Sequence, residues 1–250
     1  QISALTDSYE DGYIVKNSDG KLGVIGTNKK ILLPIQYNEI KNVYENNIYA
    51  VKEDSTLKLI NTKTDTEVTL NYDDISEIND GYAIVKKSDK YGLITVTGEE
   101  KISPQYDSLS YIYQNYYIAN KENTYGIIDK DNSVKVEFKY NYISYVKDAD
   151  ILLADTTSAN TDLLDSNFNV KLTGVLSEIN VNKGYLKIRE NSNYQYYNFK
   201  FEKKKNTEIF TTNTLFLAKK DGKFGYVDKN GVVVINYIYD DATEQNASGF

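Results

Sequence analysis

Lys90-Tyr91-Gly92-Leu93-Ile94 decides the fold, because it returns along the chain. Its copies are Lys21-Leu22-Gly23-Val24-Ile25, Thr124-Tyr125-Gly126-Ile127-Ile128 and Lys223-Phe224-Gly225-Tyr226-Val227. Each sets a large apolar residue before Gly and two apolar residues after it. Leu57-Lys58-Leu59-Ile60 is a fifth copy without the Gly, and Asp162-Leu163-Leu164 and Gln195-Tyr196-Tyr197 are weaker ones. The anchor positions are 23, 58, 92, 126, 162, 195 and 225, with steps of 35, 34, 34, 36, 33 and 30 residues. Landmarks on both sides keep phase. Tyr37, Tyr72, Tyr106, Tyr140 and Tyr239 lie 14 residues after the anchor. Ile40, Ile75, Leu109, Ile143, Ile179 and Ala242 lie three further on, and Gly12 and Gly81 lie 11 before it. Such a period marks a repeat architecture, in which each unit needs its neighbour to cover its apolar face.

Seven repeats follow, over 12–44, 48–78, 81–113, 116–146, 150–181, 184–212 and 214–246, within a single domain 1–250. Residues 1–11 read as the tail of a preceding repeat and Gly249-Phe250 as the head of a later one, so the array is expected either to run longer or to close on itself. The third repeat predicts strands at Tyr82–Lys86, Tyr91–Val96 and Lys101–Ser103, with Pro104 at the end of the third and a fourth strand at Leu109–Tyr113. Short β-branched and aromatic runs, broken by Gly, Asn and Asp at this spacing, make the chain all-β. Asn230-Gly231, Asp19-Gly20 and Asp221-Gly222 are hairpin dipeptides, because tight primed turns need positive φ. The two apolar residues after the anchor point to opposite faces of one strand, so that strand is expected to be buried on both sides. The anchor Gly, with no side chain to pack, marks a bulge or a close backbone approach. The expected architecture is a seven-bladed β-propeller, some blades having three strands, with an open β-solenoid as the rival. One compact body is expected, and the five phase-locked tyrosines belong to its core.

Composition removes several chemistries. Of 250 residues none is Cys, His, Trp or Met. Without Cys there are no disulfides or thiolate chemistry, and without His the commonest general base and metal ligand are missing. The net charge of −7 and a lone arginine, Arg189, oppose nucleic-acid binding. No apolar run approaches the ~18 residues of a membrane span. The chain begins at Gln1, which leaves a removed leader or an excised piece as the two expectations. No cofactor is called for, and the absence of Cys fits an exported bacterial protein at the cell surface or outside the cell.

These residues resemble the WG-repeat, or KWG-repeat, family of bacterial arrays, whose unit looks like Gly-Lys-Trp-Gly-Tyr-Ile-Asp followed by a Gly turn and Pro-x-Tyr-Asp. The closest copies are Asp221-Gly222-Lys223-Phe224-Gly225-Tyr226-Val227-Asp228, and Lys90–Ile94 with Pro104-Gln105-Tyr106-Asp107. Asp129 and Asp228 match the family's Asp. The likeness spans the chain and is good in four of the seven units. Leu22, Tyr91, Tyr125 and Phe224 stand where the family has Trp, so the packing role carries over and a Trp-dependent role does not. The resemblance implies a β-rich repeat scaffold, often exported, with no established chemistry.

Two functional readings follow. The first is a non-enzymatic recognition scaffold for protein or cell-wall polysaccharide. It rests on the 24 tyrosines, whose flat apolar faces and polar tips suit recognition. Tyr111, Tyr113, Tyr116 and Tyr117, and Tyr194 and Tyr196 with Tyr197, lie outside the repeat phase and are the binding candidates. The second is a propeller glycoside hydrolase or lyase using Asp and Glu alone, with Asp129, Asp165 and Asp228 three residues after their anchors. Such residues are more often turn Asp bonded to their own backbone. Asp129–Ser133 fails the calcium-loop template, because Val134 and Tyr140 stand where Gly and Glu belong. Lys203-Lys204-Lys205 reads as a solvated loop. No catalytic or metal-ligating residue is assigned.

Overall fold

The computed structural model describes residues 3–9, 12–43, 47–190, 193–205 and 215–243, so Gly249 and Phe250 lie outside the described residues. The regular structure of the described residues is all strand, apart from one 3-10 turn at Lys147–Ala149. It falls into two compact units, Gln1–Lys139 and Tyr140–Phe250.

In the first unit, the first sheet is β1 (Ser3–Tyr9), β2 (Gly12–Lys16), β3 (Leu22–Gly26) and β4 (Ile31–Tyr37). The second is β5 (Glu39–Val43), β6 (Ile48–Glu53), β7 (Thr56–Asn61) and β8 (Thr66–Leu70). The third is β9 (Asp74–Asn79), β10 (Tyr82–Lys87), β11 (Lys90–Thr95) and β12 (Glu100–Tyr106). The fourth is β13 (Ser108–Tyr111), β14 (Tyr116–Lys121), β15 (Thr124–Asp129) and β16 (Val134–Tyr140). In the second unit, β17 (Tyr142–Val146), β18 (Ile151–Asp155) and β19 (Thr161–Leu164) lead into the eleven-residue β20 (Val170–Asn180). The first half of β20 closes the fifth sheet and its second half opens the sixth, with β21 (Tyr185–Glu190), β22 (Asn193–Tyr197) and β23 (Lys203–Lys204). The last described sheet is β24 (Phe216–Lys220), β25 (Lys223–Val227) and β26 (Val233–Tyr239).

Strands pair in chain order within every sheet. Each sheet is therefore an open meander with two edges, a unit that propellers and solenoids share. The strands expected in the third repeat are all present, but the fourth pairs differently. Ser108–Tyr111 joins β14 of the following sheet. Each sequence repeat thus supplies three strands to one sheet and the opening strand to the next. Four strands per sheet fit into about 34 residues because the hairpins are tight. Ser88-Asp89 and Glu122-Asn123 turn with both residues at positive φ, without Gly.

The apolar pair after the anchor organises the core as its period-2 geometry requires. The first of the pair packs forward. Val24, Leu59, Leu93 and Leu163 meet the following sheet. The second packs backward. Ile60, Ile94, Ile128 and Tyr197 meet the preceding one. Leu93, Ile94, Ile127, Ile128 and Leu163 are completely buried. Among the described residues, cores of this kind join the first sheet to the second, the second to the third, the third to the fourth, and the fifth to the sixth.

The anchor Gly lies opposite a bulge. Leu22 pairs with Tyr37 and Val24 with Leu33, so one residue on β3 faces three on β4. Tyr91/Tyr106 with Leu93/Ile102, and Phe224/Tyr239 with Tyr226/Ile235, repeat the pattern. A Cβ on Gly92 would stand 2.3 Å from the Ile102 carbonyl oxygen and 2.7 Å from the Pro104 nitrogen. Pro104 therefore sits inside β12 at this bulge and not at the strand's end, because an unpaired bulge residue makes no ladder hydrogen bond that a missing N–H would cost. The two extra residues deliver Tyr37 and Tyr106 to the core, and Tyr140, at the same phase, is buried as well. Tyr72 and Tyr239 depart from the expectation. The second sheet has Lys58 at the anchor and no bulge, so Leu70 pairs with Leu57 and fills the core position. Tyr72 lies two residues beyond it, half-buried, its hydroxyl donating to Glu100 Oε2 at 2.7 Å. Tyr239 is exposed on the last sheet.

Candidate functional site

The first tyrosine cluster is built by the β13–β14 hairpin. Gln114 and Asn115 both have positive φ, and the Tyr116 N–H closes on the Tyr113 carbonyl at 2.8 Å. This tight turn sets Tyr113 and Tyr116 side by side at the tip, rings edge-to-face at 6.0 Å. One step inward, Tyr111 pairs with Tyr117, their rings T-shaped at 5.8 Å. Tyr111 is half-buried, and its hydroxyl donates to Asp80 Oδ2 at 2.7 Å, tying the tip to the β9–β10 turn of the preceding sheet. Tyr117 is wholly buried in the core between the third and fourth sheets, and its hydroxyl finds no hydrogen-bond partner among the described residues. Burial first, then Tyr111, Asp80 and Tyr82, push that phenol's pKa far above its usual range. Tyr117 is thus the floor of the cluster, and Tyr111, Tyr113 and Tyr116 are its half-exposed part.

The second cluster lies on β22. Tyr196 and Tyr197 are buried, and Tyr194 is half-buried. Here the structure shows a residue that single-segment reading misses. Lys187 is buried in the middle of β21, its ammonium 4.2 Å from the centre of the Tyr194 ring. Lys187 pairs with Tyr196, while the equivalent partners of the other anchors' next residues are Ile14, Ala50, Ile84, Ile118, Leu153 and Leu217. Aligning the repeats on one another would have exposed this cation in an apolar position. Burial lowers its pKa, and the Glu178 carboxylate pulls the other way. Glu178 accepts from Tyr185 at 2.9 Å and from the Asn180 side chain at 3.1 Å. Burial and then Glu178 push the Tyr185 phenol up to about 12. A cation on an aromatic face with a nearby carboxylate is a satisfied buried charge.

The three in-phase carboxylates are occupied by their own turns. Asp129 Oδ1 accepts from the N–H groups of Asp131 and Ser133, both at 2.9 Å, while Lys135 meets Oδ2 at 2.8 Å. Asp165 Oδ1 accepts from Asn167 and Asn169 at 3.0 and 2.9 Å, and Asp228 Oδ1 from Asn230 and Val232 at 2.9 and 2.8 Å. Asn61, Thr95 and Asn198 hold the same place after their anchors and cap their turns likewise. Burial alone would raise Asp129, but Lys135 and the two backbone N–H groups outweigh it and the pKa falls. Asp165 falls for the same kind of reason, its burial outweighed by Asn169, Lys171 and Asn167. Asp228 falls chiefly through the Val232 N–H. A lowered carboxyl pKa is the opposite of what a general acid at neutral pH requires. Lys203 and Lys204 form the edge strand β23 and not a loop, a placement that protects a sheet edge from further pairing. Among the described residues, no group of three or more acidic side chains is placed to hold a metal ion. None of the described helices is long and apolar enough to cross a membrane.

Comparison with known proteins identifies the repeat. The model of the WG containing repeat matches residues 23–56, 59–91, 91–125, 125–149 and 224–244, more than half of the chain. No curated protein matches the sequence. Among solved structures, the chain is similar to BamB from Moraxella catarrhalis, with 11% identity and a TM-score of 0.41, over 94% of this chain and 86% of that one. It is also similar to Hsv2 of Kluyveromyces lactis, with 8% identity and a TM-score of 0.43, over 92% of this chain and 91% of that one. Likeness at this level assigns neither a sheet arrangement nor a partner.

Proposed function

This chain belongs to the WG-repeat family, and from that premise we propose that it is a non-enzymatic recognition scaffold, exported by a bacterium, that holds a protein or cell-wall glycan on its tyrosines. The observation that carries the reading is the β13–β14 tip, where Tyr111, Tyr113 and Tyr116 gather half-exposed over the buried Tyr117. Rings fixed by edge-to-face contact on a two-residue turn lose little freedom on binding, and each offers an apolar face with a polar rim. The turn carboxylates support the same reading, since each is engaged by backbone N–H groups. The lack of Cys and the family's frequent export support a site outside the cell.

Titration calorimetry against soluble wall polysaccharides, peptidoglycan fragments and surface proteins tests this. Binding to one class is expected, weakened about tenfold or more by the Tyr113→Ala/Tyr116→Ala double change, with the thermal melt unchanged. Sustained release of reducing sugar from any polysaccharide, abolished by a single Asp→Asn change, would replace this reading with a glycoside hydrolase or lyase.

A further inference from the structure

The β25–β26 hairpin carries the chain's one Asn-Gly pair, Asn230-Gly231. Two other hairpins turn in the same way. The Gly231 N–H donates to the Asp228 carbonyl at 3.0 Å, as Lys29 does to Gly26 and Phe168 to Asp165, both at 2.9 Å. All three donors have positive φ, at 83°, 66° and 67°. Asn28, Asn167 and Asn230 precede them, each five residues after its anchor and each exposed. The backbone of the three turns is therefore matched, and the difference lies in the residue after the Asn. It is Lys, Phe or Gly. A Cβ placed on Gly231 would meet no atom within 4 Å, so the space beside its nitrogen is open. The Asn28 side chain is held by the Lys30 N–H, which donates to its Oδ1 at 3.0 Å. Asn230 reaches Asp228 Oδ2 through its Nδ2, at a longer 3.4 Å.

We propose that Asn230 is a self-modification site, where water turns the side-chain amide into a carboxylate by way of the Gly231 backbone nitrogen. That nitrogen gives its proton to hydroxide and attacks Asn230 Cγ. The new Cγ–N bond closes a cyclic imide, the Cγ–Nδ2 bond breaks, and the nitrogen departs as ammonia. Water then opens the imide at one carbonyl or the other, leaving an aspartyl or an isoaspartyl residue. Nothing is oxidised or reduced. The side chains of Lys29 and Phe168 block the same approach at Asn28 and Asn167. The Gly231 N–H bond slows the attack without preventing it, because one bond in an exposed hairpin opens at little cost. Conversion replaces a donor facing Asp228 with a second carboxylate, and like charges at that distance repel. The isoaspartyl form also lengthens the main chain of a hairpin whose register pairs Val227 with Val233 and Tyr226 with Ile235. The last described sheet is thereby loosened as the protein ages. This inference is independent of the tyrosine tip.

Incubation of the full chain in mildly alkaline buffer over weeks tests it, followed by isoelectric focusing, peptide mass mapping and thermal melts. Asn230→Gln is the control, since it keeps an amide at an exposed position but closes such a ring far more slowly. The parent is expected to gain one negative charge. Its peptide containing residue 230 should gain the mass difference between an amide and an acid and separate into two products of equal mass. The peptides containing Asn28 and Asn167 should stay unchanged, the Asn230→Gln chain should keep its original band, and the converted fraction should melt below the fresh parent. An unchanged residue 230 in the folded chain, when the urea-unfolded parent has converted, overturns the proposal. Conversion at Asn28 or Asn167 as fast as at Asn230 removes the role given to Gly231. An aspartyl product without the isoaspartyl one rules out the imide, and a converted fraction that melts with the parent rules out the loosening.

Discussion

The second and third sheets pack against each other and keep the same sequence phase, yet they close their last hairpin in two ways. In the third, Gly92 admits a bulge, and β12 carries two extra residues that bring Tyr106 into the core. In the second, Lys58 keeps its side chain, pairs with Thr69 in an unbroken ladder and reaches Glu53 and Glu67 at 2.8 and 2.9 Å. Leu70 then does the work of the tyrosine. The glycine is therefore a requirement of the bulge and not of the sheet. What both sheets share is the apolar pair that follows the anchor.

Substitution in that pair should give the largest effects. Ile94 and Ile128 are completely buried, whereas Ile60 is only half-buried. Ile94→Ala and Ile128→Ala are expected to destabilise by about 2–5 kcal/mol each in denaturant melts. Ile60→Ala should fall below that range, and equal losses at all three positions would remove the distinction between the sheets. At the anchor, Gly92→Ala drives a Cβ into the opposing backbone and is expected to destabilise by about 1–3 kcal/mol. Lys58→Ala removes only surface ion pairs, for about 1 kcal/mol or less. A Gly92→Ala variant as stable as the parent would show that the bulge accommodates a side chain.

The sixth sheet sharpens the comparison, because Lys187 occupies the place of Ile84 in the third. Lys187→Met is expected to leave stability at pH 7 unchanged or raise it by about 1 kcal/mol, since a well-packed apolar chain often replaces a buried charge without loss. A clear loss would instead identify the cation's contacts as net stabilising.

The turns differ in charge as well. The second and third sheets cap theirs with Asn61 and Thr95, and the fourth with Asp129. Because the folded pKa of Asp129 is depressed despite burial, chiefly by Lys135, Asp129→Asn gives up the Lys135 part of its contribution at pH 7, and that contribution is fully present above the unfolded value, about 4. It is lost as pH falls from there through the lower folded value. Asp129→Asn keeps a side-chain oxygen for the two N–H groups but loses the Lys135 pair, so urea melts between pH 2 and 7 should show a shallower acid decline and a loss of about 1 kcal/mol or less at pH 7. The smallest effect belongs to Asp89→Asn in the exposed β10–β11 turn, within about 0.5 kcal/mol. A larger shift there would mean that the Lys86–Asp89 pair matters more than its exposure suggests.

Much of this was legible in the sequence because it is local. The strands from Tyr82 to Tyr111, the double burial of Ile94, the close approach at Gly92 and the turn role of Asp129 follow from period-2 alternation and from side chains bonding nearby backbone. What was not legible depends on a second sheet. Nothing in Leu109–Tyr113 says which neighbour it will pair with, and counting residues cannot reveal that a missing bulge moves Tyr72 out of register. The same holds for the candidate site. Clustering marks Tyr111 to Tyr117 as a group, but only the preceding sheet decides that Tyr117 is floor and Tyr111 is rim.

β20 carries a mechanical consequence. Its eleven residues serve two sheets without an intervening turn, while the other described sheets are joined through loops or short bends. A force pulling the chain from its ends reaches the fifth sheet and leaves through the sixth along one uninterrupted strand. Peeling β20 from either partner withdraws the edge on which the other depends. Under load these two sheets should rupture together in a single long extension step, and the first four should release one at a time.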